Sequence, residues 1–446
     1  KRCKNTMNKE IDLIVKGGII LCMDEEMRNL ENYQIAIDEG KIIDIYPAET
    51  KEYVATKTLD ASDCIVMPGL INAHTHLPMT YFRGLADDLP LEIWLNHYIW
   101  PLEAKILNRN FIYNASLHGA AEMLKNGITQ IHDMYFDMPA IADACTKVGL
   151  RAIIGEALLD GNTSSPERFN ELGNKMLELK QRYKDNPYVD FNLAPHSIYG
   201  CSRQTLEKCA QVAADTGILL HMHLSETKSE VEQCIKEHGL RPVFYLKDIG
   251  ILDLPAVYAH GVWIDEEEIE LLSEVPASIA ICTESNLKLA SGILPLATYR
   301  KYKVNLCFAT DGVASNNNLD ILSEMDVTAK LHKVINNDPA FLPAVDIVRM
   351  ATCDAAKALG ISHKRGSLEI GKDADICILS LSELESQPLY NPYSHIVYAL
   401  SSRNVRDVVV NGKIVLESGK LMQVDESALI ATAKQQKAYI LQQLEN

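Results

Sequence analysis

Two periodicities alternate along the chain. Short runs dense in Ile, Val, Leu and Ala, most of them ending on polar residues, are separated by longer segments in which apolar residues return every three or four positions. The first pattern predicts strands and the second amphipathic helices. Eight runs carry the strand pattern: GLINAH (69–74), ITQIHDM (128–134), RAIIGEALL (151–159), YVDFNLAPH (188–196), ILLHMHLSE (218–226), AVYAHGV (256–262), ASIAICTES (277–285) and NLCFATDG (305–312). Between them, NASLHGAAEMLKNG predicts a helix stopping at Gly127, and SRQTLEKCAQVAADTG predicts one opening at Ser202 and closing at Gly217. Eight βα repeats close most simply into a TIM-type (β/α)8 barrel of the α/β class, with an open doubly wound sheet as the alternative that the pattern alone leaves standing.

The two ends follow another rule. DLIVKGGIIL (12–21) and DVVVNGKIVL (407–416) share Asp, Val, Gly, Ile and Leu at matching offsets, and each predicts a β-hairpin turning at Gly. We expect residues 1–66 and 366–446 to assemble one small β-sandwich domain, with a terminal helix, beside a barrel spanning 67–365. Any two hairpins share such a pattern, so the likeness of the ends does not by itself require a joint domain.

Composition narrows the function classes. A 446-residue chain with 47% hydrophobic and 23% charged residues is an ordinary globular protein. Its formal charge of -17 and lack of a basic stripe disfavour nucleic acid and point to a small-molecule substrate. No apolar run approaches the ~20 residues of a membrane span, and the basic start (1–9) leads into a strand pattern, not an export segment. Eleven cysteines without a C-x-x-C pair fit reduced thiols, so a cytoplasmic location is expected. The sequence leaves open whether the chain forms a homo-oligomer.

Chemistry concentrates where the strand runs end. His74 and His76 are separated by one residue, so in a strand they face the same side about 6.6 Å apart and can converge on one ion. An isolated H-x-H is equally well a pair of structural histidines. The other runs, however, end on His196, on His221, His223 and Glu226, on His260, and on Asp311. In a barrel the carboxyl ends of all strands meet at one face, which makes these residues neighbours. Three His and one Asp suit a divalent ion with a position left for water. His97, His118, His238, His332, His363 and His395 fall in helical or loop segments and read as surface or packing residues. His132 reads as structural, and His221 as lying deeper behind the ligands. The serine-hydrolase G-x-S-x-G, the phosphate loop G-x-x-x-x-G-K-[ST], the dinucleotide motif G-x-G-x-x-G and the P-C-x-x-C of cytidine-type deaminases are all absent.

The stretches PGLINAHTHLPMTYFRGLADDLPLEIWL, APHSIYGCS, HMHLSETKSE, TESNLKLASGI, ATDGVASNNNLD and RGSLEIGKDADICIL together resemble the amidohydrolase superfamily, and within it the 5'-methylthioadenosine/S-adenosylhomocysteine deaminases. The resemblance implies one divalent ion, zinc by family habit, held by His74, His76, His223 and Asp311. It implies Glu226 as proton carrier to the purine ring nitrogen, His260 as the group orienting the attacking water, and Asp311 as acceptor of that water's proton. It also implies contacts from His196 to the nucleoside and from Glu103 to the ribose hydroxyls. The fourth run lacks the lysine with which two-metal relatives bridge their ions, which favours a single ion.

The expected activity is hydrolytic deamination of an adenosine-type nucleoside: 5'-methylthioadenosine, S-adenosylhomocysteine, adenosine or 5'-deoxyadenosine. One departure concerns the 5' end, where relatives that accept S-adenosylhomocysteine tend to carry two arginines. Arg168 matches the second, but Glu156 stands at the first, and a carboxylate there would repel an amino-acid tail. The competing readings are another amidohydrolase acting on a triazine or other aminated ring, and a non-catalytic barrel that binds a metabolite. A ring-nitrogen proton donor at Glu226 argues for the aminopurine.

Overall fold

The structure, a computed structural model, describes residues 10–50, 53–160 and 166–445; of residues 166–173 and 445 only the backbone is described. Its centre is an eight-stranded parallel sheet in sequential order: β1 (Leu70–Thr75), β2 (Ile128–Tyr135), β3 (Arg151–Leu158), β4 (Val189–Pro195), β5 (Leu220–Leu224), β6 (Ala256–His260), β7 (Ala277–Ile281) and β8 (Asn305–Phe308). These are the eight predicted runs. The seam between β8 and β1 closes just beyond β8, where the Asp311 N–H donates to the His74 carbonyl at 3.1 Å. The Asn72 amide seals it further, donating to Thr310 Oγ1 at 2.7 Å and accepting from the Thr310 N–H at 3.1 Å. The sheet is therefore a closed barrel and not the open alternative.

Helices cover the barrel as the periodicity requires. Arg109–Lys125 is capped by Asn108 and ends before Gly127, and Arg203–Thr216 runs from its Ser202 cap to Gly217 at φ +68°. Glycine suits that last position because an L side chain rarely adopts a left-handed φ.

The termini build a two-layer β structure. One sheet orders Lys41–Pro47, Tyr33–Asp38, Glu10–Lys16 and Val54–Asp60; the other runs from Lys420–Leu421 through Lys413–Glu417, Val405–Val410, Ile376–Ser380, Cys64–Pro68 and Ile19–Leu21 to Asn29–Glu31. Leu13, Val15, Ile35 and Ile37 of the first layer pack on Ile20, Val66, Ile376 and Val409 of the second. The predicted C-terminal hairpin forms, turning through Asn411 and Gly412, both at positive φ as the favoured two-residue turns require.

The predicted N-terminal hairpin does not form. Glu10–Lys16 and Ile19–Leu21 lie in different sheets, and Gly17–Gly18, at φ +79° and +81°, carries the chain from one layer to the other. A Cβ on Gly18 would lie 2.4 Å from the Ala61 carbonyl oxygen. The glycines thus permit a tight crossing between layers, a demand that looks identical to a hairpin turn in the sequence.

The terminal helix Glu426–Glu445 packs on Arg109–Lys125 and Trp100–Ile106. The ten described cysteines are unpaired, and no described helix is long and apolar enough to cross a membrane.

Candidate active site

Four strands deliver their terminal polar residues to one end of the barrel. His74 and His76 leave β1, His223 lies in β5, His260 ends β6 and Asp311 follows β8. His260 and Asp311 sit at φ +74° and +59°, left-handed values that non-glycine residues adopt only when their surroundings hold them there. The hydrogen bond from Asp311 N–H to His74 supplies one such constraint, and that from Gly261 N–H to the Leu224 carbonyl, 2.9 Å, supplies another.

The hydrogen bonds fix which ring nitrogens are free. Nδ1 of His76 lies 2.6 Å from the Met134 carbonyl, and Nδ1 of His223 lies 2.8 Å from that of His196. A carbonyl only accepts, so each Nδ1 carries a hydrogen and each ring turns its Nε2 toward the cluster. Those two Nε2 atoms are 3.2 Å apart. His260 Nδ1 meets Asn286 Oδ1 at 2.9 Å, and His74 Nδ1 meets His221 Nε2 at 2.7 Å, leaving the buried Nε2 atoms of both without a hydrogen-bond partner. Asp311 Oδ1 is 3.3 Å from Nε2 of His74 and of His76. Donor atoms of His74, His223, His260 and Asp311 all lie within 4.8 Å of one another. Lone pairs crowded this closely repel unless a cation lies among them, so the donor set fits a divalent metal of nitrogen and oxygen preference.

Charge follows the same logic. Burial pushes His74 down to about 4 and His223 well below the ordinary imidazole value, the neutral state an imidazole needs to take a metal. Burial also pushes His76 down, but the hydrogen bond and charge of Asp311 outweigh it and hold His76 up at about 8. Burial raises Asp311, yet its pairing with His74 and His76 prevails and holds the carboxylate well below its usual range. Its second oxygen accepts from Ser285 Oγ at 2.7 Å and Ser315 Oγ at 2.8 Å.

Above the cluster opens a cavity whose walls include Trp94, Trp100, Glu103, Tyr135, His196 and Glu226. Glu226 accepts from Ser291 Oγ at 3.2 Å, and its other oxygen is 3.7 Å from His260 Nε2. Burial raises its proton affinity above that of an ordinary glutamate. Glu103, bonded to the Tyr135 hydroxyl, is pushed up to about 7 by burial. The His196 ring lies 4.5 Å from that of His223. The tryptophans belong to a π-helical turn, Trp94–Ile99, and to the helix Trp100–Ile106 that follows it; such turns widen a helix and recur at functional sites.

The predicted residues His74, His76, His196, His223, Glu103, Glu226, His260 and Asp311 therefore share one site. Glu156 does not join them. Ala157, its neighbour in β3, lines the cavity, and alternation along the strand turns Glu156 away toward the N–H groups of Asp137 and Met138. Glu156 is therefore absent from the described cavity lining. The Arg168 side chain lies outside the described residues. His132 stacks on His221 at 3.7 Å and bonds the Ala73 carbonyl and Asn192, one layer beneath His74 and His223. Sequence reasoning passed over Tyr135, Ser285, Asn286 and Ser291, because hydroxyls and amides are too common in loops to announce a role.

The chain matches the amidohydrolase family over residues 65–415. It is 41% identical to a 5-methylthioadenosine/S-adenosylhomocysteine deaminase of Thermodesulfovibrio yellowstonii, over 94% of this chain and 97% of that one. It is 39% identical to a 5'-deoxyadenosine deaminase of Methanopyrus kandleri, over 94% of this chain and 96% of the other. Among solved structures, a zinc-bound adenosine deaminase from Xanthomonas campestris superimposes with a TM-score of 0.93 at 35% identity, covering 97% of this chain and 99% of that one. On this match and on the extent of these alignments, the chain belongs to the amidohydrolase family.

Proposed function

We propose that the chain is a zinc-dependent aminohydrolase that converts adenosine-type nucleosides to their inosine analogues and ammonia. The observation that carries this reading is the buried Glu226 carboxyl, held at the cavity wall 3.7 Å from His260 and beside a cluster of unpaired imidazole nitrogens.

His74, His76, His223 and Asp311 would hold the ion, whose chemistry is to make hydroxide available at neutral pH by lowering the pKa of water from roughly 15.7 to about 7. His260, with its Nδ1–H fixed on Asn286, keeps a lone pair free at Nε2 to accept from the attacking water and aim it at the ring carbon bearing the amino group. Glu226 retains its proton because burial favours the neutral acid, and it gives that proton to the adjacent ring nitrogen as the carbon becomes tetrahedral. Asp311 takes one proton of the water and passes it to the departing amino group, which leaves as ammonia, while the remaining hydroxyl proton returns to Glu226 as the carbonyl forms. Glu103 and Tyr135 are suited to the ribose hydroxyls and His196 to the nucleoside, while Trp94 and Trp100 offer apolar faces. Arg168 is the candidate for reaching a longer, charged 5' tail.

The test is a side-by-side panel. Zinc-loaded protein is incubated with 5'-methylthioadenosine, 5'-deoxyadenosine, adenosine and S-adenosylhomocysteine, and ammonia release is followed together with the adenine-to-hypoxanthine absorbance change. Turnover of at least one is expected. Silence with all four overturns the substrate class.

A further inference from the structure

The turn that presents Glu226 is held by a carboxylate outside the reacting set. Glu230 is only 5% exposed, and its two oxygens accept from the backbone N–H groups of Ser225, at 2.9 Å, and Glu226, at 2.8 Å. Ser225 stands at φ +50°, so the chain turns sharply between the end of β5 and the helix Lys228–His238. Two consecutive amides at such a turn form a concavity that attracts an anion. Here the acceptor is the protein's own carboxyl group.

The pattern departs from ordinary helix capping. Thr227 is the N-cap and accepts from the Glu230 N–H at 3.2 Å. In a capping box the glutamate three residues on would return the bond to the N-cap amide. Asp265 and Glu268 do so in this same molecule, with Glu268 accepting from the Asp265 N–H at 3.1 Å. Glu230 instead reaches one and two residues further back, to the amide of Glu226 itself and the one before it. The Ser225 carbonyl is held in turn by the N–H groups of Val262, 3.1 Å, and Trp263, 2.8 Å, in the segment that follows His260. The Glu226 backbone is thus clamped from both sides, with its side chain aimed at the cavity.

We propose that Glu230 is a positioning residue for the deamination, holding the Ser225–Glu226 turn so that the Glu226 carboxyl meets the substrate ring. This rests on the deaminase reading only as regards the reaction being positioned. A glutamine at 230 offers one acceptor oxygen, and its amide NH2 opposes the second N–H, so the turn loosens without loss of side-chain volume. A misplacement of about 1 Å in a reacting group can cost about 100-fold in rate. Glu230→Gln should therefore lower kcat by roughly 10- to 100-fold while leaving bound zinc and KM near their original values. Ser225→Gly relaxes the left-handed strain and keeps both amides, so Glu230→Gln should cost less in that background than alone.

Hydrogen exchange of the peptide covering 224–228 supplies a readout independent of activity. In the intact zinc-loaded protein its amides should be protected, and in Glu230→Gln they should exchange markedly faster with flanking peptides unchanged. The proposal is overturned if exchange is unaltered, if kcat is unchanged in a protein whose wild type turns over, or if the loss is accounted for by released zinc. Wild-type silence on the whole substrate panel would remove the deaminase reading, and the exchange comparison would still decide whether Glu230 holds the turn.

Discussion

At the scale of single residues, the reading depends on a division between groups that hold the ion and one that moves a proton. Glu226 carries no lone pair into the donor cluster; its nearest neighbour there is His260 Nε2 at 3.7 Å. Glu226→Gln keeps the shape and the bond from Ser291 but removes the acidic proton. General acid catalysis contributes about 100- to 10,000-fold, so kcat should fall by that order while zinc measured by elemental analysis stays near one per chain. Loss of the ion with the activity would make Glu226 a ligand. The polar residues that end the strand runs brought the imidazoles and Asp311 together, because the carboxyl ends of barrel strands meet at one face. Residue identity could not orient Glu156, where one step along β3 separates cavity from helix layer, nor find Glu230, whose part depends on which amides it reaches.

Among elements, the helix Arg109–Lys125 approaches the turn after His76 closely. Gly119 in mid-helix forgoes about 1 kcal/mol of helix propensity relative to alanine, and the packing shows what requires it. A Cβ there would sit 2.4 Å from Thr80 Oγ1 and 2.8 Å from Leu77 Cδ1, in the 3-10 turn Leu77–Phe82 that follows His76. Leu77 is itself pinned by its N–H to Asp133 Oδ1 at 2.6 Å. Gly119→Val should cost ~1–3 kcal/mol by overpacking, seen as a lower denaturant midpoint. By shifting Leu77 it should also weaken zinc binding in a competition titration with a chelator. An unchanged metal affinity would uncouple the helix from the site. The eight strands and their intervening helices were readable because burial on both faces makes parallel strands nearly continuous apolar runs. The exchange of Glu10–Lys16 and Ile19–Leu21 between sheets was not, since a Gly-Gly turn serves a hairpin and a crossing equally.

For the whole molecule, the barrel separates stability from chemistry by its two ends. The reactive cluster lies at the carboxyl ends of the strands, and the terminal β structure meets the amino ends. There Arg151, first residue of β3 and 1% exposed, forms ion pairs with Asp375 at 2.7 Å and Asp373 at 3.2 Å and donates to Asn411 Oδ1 at 3.1 Å. Arg365 reaches the same two aspartates at 3.6 and 2.9 Å, and Lys41 brings in the four-stranded sheet through Asp373 at 2.5 Å. Both sheets of the terminal structure are therefore tied to the start of one barrel strand through one network, in which Arg151 and the two aspartates are buried and Lys41 is exposed. Breaking a buried pair by removing one partner costs about 3–5 kcal/mol, because the abandoned charge stays buried. Arg151→Met should show that loss in denaturant unfolding, with kcat and KM within about twofold of wild type because the reacting groups lie at the opposite end. Adding Asp375→Asn removes the stranded carboxylate, so the double variant should be less destabilised than the sum of the two single changes. If Arg151→Met instead abolished turnover in protein of undiminished stability, the junction would have to communicate with the cavity along β3, and the assignment of one end to stability and the other to catalysis would fail.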